Sequence, residues 1–146
     1  MKEIFIRNKN IVSMTRLFNA AVIYPILGID LGSQTTGVAV KFESSPTFPV
    51  GEITLNRKDN RAVSQILNRH FPVIVAGEYP KGNIKECSRH LCLFLNTNNI
   101  TCNNVFYLGE AFTTISSSCD YSILSKSGQD SRAAALLIEI FISLLK

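Results

Sequence analysis

The stretch Ile23-Tyr-Pro-Ile-Leu-Gly-Ile-Asp-Leu-Gly-Ser-Gln-Thr-Thr-Gly-Val-Ala-Val-Lys-Phe42 decides the fold. Its first eight residues are apolar and β-branched, a polar turn spans Gly32 to Gly37, and Val38 to Phe42 resumes the apolar pattern, which reads as a hairpin. A third strand is expected at about Val50 to Leu55, after Pro46 and Pro49. Three antiparallel strands thus precede any helix.

The pattern then changes period. Asp59 to His70 carries Ala62, Val63, Ile66 and Leu67 at helical spacing and is closed by Pro72. Val73-Ile-Val-Ala76 is a continuous apolar run suited to a strand buried on both faces. Asn83, with Glu86 three positions on, resembles a capping box, and Ile84, Cys87, Leu91 and Phe94 or Leu95 line one side of the helix that follows. Asn104 to Leu108 reads as a fifth strand, and Asp130 to Leu145 as a strongly apolar helix after a Ser-rich loop. The order β-β-β-α-β-α-β-α implies an α/β domain: a mixed five-stranded sheet with helices on both faces.

At 146 residues the chain fits one domain, with 46% hydrophobic and 18% charged residues, an ordinary globular balance that excludes a fibrous or largely disordered chain. Residues 1–22 read as an N-terminal extension and 23–146 as the domain. The apolar run from Leu17 to Leu27 lacks an A-x-A cleavage site and carries Asn19 and Pro25, so it is not read as a signal peptide. No stretch approaches the roughly 20 apolar residues of a membrane span. Cys87, Cys92, Cys102 and Cys119 form no C-x-x-C pair and read as reduced thiols of a cytoplasmic protein, used for packing. Cys87, His90 and Cys92 do not share one helical face, which argues against a soft-metal site. Lys and Arg outnumber Asp and Glu by 15 to 11, a mild excess that favours a polyanionic partner.

In such a sheet ligands collect at the carboxyl ends of the parallel strands, and three acids map there: Asp30 ends the first strand, Glu110 follows the fifth, and Asp130 opens the last helix. Carboxylates distant in sequence but convergent in space suit hard Mg²⁺ or Mn²⁺. Two such ions serve phosphodiester cleavage. Each acid also has a blander use: Asp130 as a helix cap, Glu110 as a loop residue, Asp30 as a turn former. Asp30 is the hardest to dismiss, because a carboxylate ending an apolar strand is partly buried and needs a compensating partner. Glu78, just past the fourth strand, reads as a solvated loop residue, with an added metal ligand as the less favoured alternative.

Four segments carry a resemblance: Leu27-Gly-Ile-Asp-Leu-Gly-Ser-Gln-Thr-Thr-Gly-Val-Ala39, Ile74-Val-Ala-Gly-Glu-Tyr-Pro80, Gly109-Glu-Ala-Phe-Thr-Thr114 and Asp130-Ser-Arg-Ala-Ala134. In order and spacing they resemble the signature blocks of the YqgF/RuvX family over about residues 26 to 144. The resemblance implies a ribonuclease H-like fold, catalytic and metal-binding roles for Asp30, Glu110 and Asp130, Mg²⁺ or Mn²⁺ as cofactor, and a nucleic-acid partner. That family is associated with maturation of the small-subunit ribosomal RNA precursor and was first described as a Holliday junction resolvase. The expected activity is a metal-dependent nuclease, acting as a monomer or homodimer on precursor RNA or on branched DNA. Lys81, Lys85 and Arg89 are assigned to phosphate contacts, with a solvated helix face as the other reading, and Thr113 and Arg132 join them in substrate binding.

Departures from the family pattern keep two further readings open. Where the family's third block reads Asp-Glu-Arg, this chain has Gly109-Glu110-Ala111, and the first turn carries Gln34 and Thr35 in place of a basic residue. Weakened substrate binding, or a nucleic-acid or ribosome binding module whose site has decayed, accounts for both. The segment Asp30 to Thr35 also resembles the first phosphate loop of actin-like ATPases. Those enzymes close two domains around a nucleotide, and this length supplies one.

Overall fold

The computed structural model describes residues 1–6, 23–54, 61–80, 82–109 and 129–144. Its strands are β1 (Lys2–Ile6), β2 (Ile26–Asp30), β3 (Thr35–Lys41), β4 (Phe48–Thr54), β5 (His70–Gly77) and β6 (Thr101–Leu108). Its helices are α1 (Arg61–Leu67), α2 (Ile84–Thr97) and α3 (Gln129–Leu144). The strands form one mixed α/β sheet in the order β1-β6-β5-β2-β3-β4. The expected meander is present: β2 pairs antiparallel with β3, and β3 with β4, where the register shifts between Val38 and Ala39. On its other side β2 pairs parallel with β5, and β5 parallel with β6.

The sheet has six strands where the sequence pattern indicated five. Lys2–Ile6, expected to lie in an extension, pairs parallel with β6, Ile4 opposite Phe106 and Ile6 opposite Leu108. Five residues, two of them charged and followed by Arg7, carry little local signal. Their partner lies about a hundred positions away, and only that pairing makes them a strand.

Alternation along the strands feeds two apolar layers. Leu27 and Ile29 of β2 join Val38, Val40, Ile74, Ala76, Val105 and Tyr107 on the face covered by α2, which contributes Cys87, Leu91, Phe94 and Leu95. These four fall at i, i+4, i+7 and i+8, one helical stripe. Ile84, expected on the same stripe, is half exposed. Ile26, Val73, Val75, Phe106 and Leu108 meet Ala134, Ala135, Leu137, Ile138 and Phe141 of α3 on the opposite face. Each aliphatic side chain so enclosed contributes roughly 1.5–3 kcal/mol.

Local chemistry sets the ends of α2. Asn83 accepts a hydrogen bond from the Glu86 backbone N–H at 3.2 Å, the N-cap that the Asn83–Glu86 spacing indicated. At the other end Ile100 N–H reaches Leu95 O at 2.9 Å and Asn99 N–H reaches Asn96 O at 3.3 Å. This is the double bond of a Schellman turn, with Asn99 in the left-handed region at φ 55° and Ile100 buried behind it. The turn delivers the chain straight into β6.

Candidate functional site

Because β2, β5 and β6 are adjacent and parallel, their carboxyl ends lie side by side. Ile29 is level with Ala76, and Gly77 with Leu108. Asp30, Glu78 and Gly109 therefore stand along one edge of the sheet, in the place where parallel sheets collect ligands. Asp30 is half-buried. By alternation with Ile26 and Gly28 it belongs to the α3 face.

Helix α3 lies very close to β2. A Cβ built on Gly28 would meet the Ala134 carbonyl oxygen and the Ile138 side chain. Further along α3, Glu139 accepts a hydrogen bond from Thr47, which precedes β4 at the opposite edge of the sheet. Chain direction then carries the first turn of α3 toward the edge where β2 ends. From Ala134 back to Asp130 is roughly 6 Å of helix, and from Gly28 on to Asp30 is roughly 6.5 Å of strand. The backbone of Asp130 lies in the first turn of α3, directly after Gln129, while its side chain lies outside the described residues. Ser131 is buried, and Arg132 is half-buried with its Nε enclosed and without a hydrogen bond among the described residues.

Glu110, Thr113 and Lys81 lie outside the described residues. Lys85 and Arg89 are exposed on α2, on the other side of the sheet from α3, so the structure does not bring them to Arg132. The Arg89 guanidinium is held by Glu86 at 2.6 Å, an i,i+3 pair whose hydrogen bond keeps the Glu86 carboxyl below the usual range. Cys87 is buried, its Sγ donating to Pro80 O at 3.0 Å, and burial pushes the Cys102 thiol up. Among the described residues, no group of three or more His, Cys, Asp or Glu side chains comes together to hold a metal.

Glu78, read from the sequence chiefly as a solvated loop residue, is more enclosed than that reading implies. It is half-buried, with one carboxylate oxygen fully enclosed. That oxygen lies 3.9 Å from where a Cβ on Gly109 would stand, and Ile6 O lies 3.6 Å from the same point. A Cβ at 109 would stand in ordinary van der Waals contact with both, so the residue at the end of β6 and the acid at the end of β5 occupy adjoining space. The signal was the one that singled out Asp30: an acid directly after a run of buried apolar residues.

Compared with models of known families and with curated proteins, the chain matches none. No helix among the described residues is long and apolar enough to cross a membrane.

Proposed function

We propose that this chain is a divalent-metal-dependent nuclease of ribonuclease H-like fold that hydrolyses phosphodiester bonds, with the precursor of small-subunit ribosomal RNA as its leading substrate. The observation that carries this reading is the half-buried Asp30 at the carboxyl end of a central strand, with Glu78 at the end of its parallel neighbour and α3 leading its Asp130 turn toward the same edge. Buried carboxylate oxygens are the hard donors that Mg²⁺ and Mn²⁺ favour. Asp30, Glu110 and Asp130 are the residues that would hold such ions. Bound there, the ions would activate a water and stabilise the leaving oxygen.

The protein's own contribution is positioning. The sheet fixes Asp30 on a rigid strand rather than a loop, and the Arg132 guanidinium, with Nε enclosed, is a donor for a substrate phosphate. The four resembling segments and the mild basic excess support the same reading.

The test is cleavage of a labelled ribosomal precursor RNA and of a four-way DNA junction, with Mn²⁺ or with EDTA, by the wild type and by Asp30→Asn. Metal-dependent cutting that falls about a hundredfold or more in the variant is the expected result. Cutting of the junction in preference to the RNA makes the chain a resolvase. With neither substrate cut and no Mn²⁺ bound, the nuclease gives way to a binding module.

A further inference from the structure

A second concavity adjoins the edge that holds Asp30, on the other face of the sheet. It has a volume of about 420 Å³ and runs between α1 and α2. Leu31, Gly32 and Ser33, which directly follow Asp30, form its end nearest the proposed site. Thr36 and Ile53 line it from the sheet, His90, Leu93 and Phe94 from α2, and Ser64 from α1.

The chemistry of this trough is selective. Among the described residues its lining holds no Lys, Arg, Asp or Glu, and what they present is apolar surface and hydroxyls. Its surface is mainly apolar, with two aromatic side chains one helical turn apart, His90 and Phe94. Hydroxyls stand around that surface. Of the three buried polar residues among those described, Thr47 is bound to Glu139 and Ser131 belongs to α3, while Thr36, 5% exposed, faces this hollow. Leu93, at the rim, is 62% exposed, an apolar side chain left in water unless something covers it. Ligand pockets of this size take one compact molecule, mostly by apolar contact, with a few polar groups fixing its orientation.

A flat, uncharged group with apolar faces and hydrogen-bonding edges fits that description, and unpaired nucleobases are recognised in this way, between aromatic side chains and polar edges. We infer that the trough is a base-binding subsite, which takes one unstacked nucleobase of the substrate strand next to the phosphate handled at Asp30. The inference rests on the nuclease reading for its strand, though not for its chemistry. It makes the substrate a strand with an unpaired base beside the cut, since a base stacked within a duplex could not reach across the sheet edge into the hollow.

The experiment uses the full chain and the four free ribonucleosides. Binding is followed by amide chemical shifts, and cleavage is measured on an oligonucleotide carrying one unpaired position. Leu93→Glu places a charge on the rim and Ser64→Phe plugs the hollow, and neither position is a core residue. A nucleoside that shifts the amides of Leu31 to Ser33 and Leu93 to Phe94, and binds about tenfold more weakly to both variants, is the expected result. Mn²⁺ affinity should be equal in all three proteins. If no nucleoside moves those amides, or if both variants cut with the wild-type base preference, the subsite is overturned while the nuclease stands. Nucleoside binding without any metal-dependent cutting has the opposite meaning: the trough holds and the nuclease reading fails.

Discussion

Tyr107 is enclosed on every side, its ring stacked on Phe5 at 4.2 Å between centroids, and its hydroxyl is buried without a hydrogen bond among the described residues. Burial pushes its ionisation well above that of a free phenol, with Glu3 adding to the effect. An unsatisfied buried hydroxyl costs free energy, so Tyr107→Phe should raise stability by about 1 kcal/mol in urea unfolding. The sign with pH follows from the raised value. Above pH about 10 the unfolded phenol ionises while the folded one keeps its proton, so the wild type loses stability as pH rises and the variant lacks that loss. At this scale the position of a candidate residue was more legible in the sequence than its surroundings. Asp30 was legible because an acid ending Leu-Gly-Ile has few bland explanations. Glu78 follows a similar apolar run, yet it lies beside Gly109 of the neighbouring strand, and that proximity is not written near either residue.

Elements defined by local chemistry were legible in outline. The stripe of α2 and its Asn83 cap follow from spacing alone, whereas strand ends moved by several residues because pairing partners set them. The seam between α3 and β2 is the element contact on which the candidate site depends. Gly28 is there because a methyl group would sit 2.4 Å from the Ala134 carbonyl oxygen, a backbone atom that cannot move without the helix. Gly28→Ala should therefore cost about 2–3 kcal/mol and displace α3. A thermal melt measures the first. The second is read as a loss of Mn²⁺ affinity in variant protein that is still folded, and unchanged affinity would mean that the metal does not depend on this seam.

For the whole molecule, the class of fold was legible and the edge of the sheet was not. An α/β chain with a meander followed by alternating helices and strands is written in the periodicities, but β1 is defined only by its parallel partner β6. Ile6 is fully buried, and Glu3 accepts a hydrogen bond from Ser88 of α2 at 2.8 Å, so the strand is tied to both the sheet and a helix. Ile6→Ala should cost about 2–5 kcal/mol, and a cost below 1 kcal/mol in denaturant unfolding would return Lys2–Ile6 to the status of an extension.

The pairing of β1 with β6 also imposes an order of events during synthesis. Lys2–Ile6 is made well before its partner and can find its place only after Leu108 has been made, and at about 5–20 residues per second it must wait several seconds with its backbone uncovered. Until then the other edge of β6 has no neighbour either, and closing the sheet is a long-range step of the slow kind. Nascent chains stalled short of residue 108 should therefore keep the amides of Lys2–Ile6 open to hydrogen exchange.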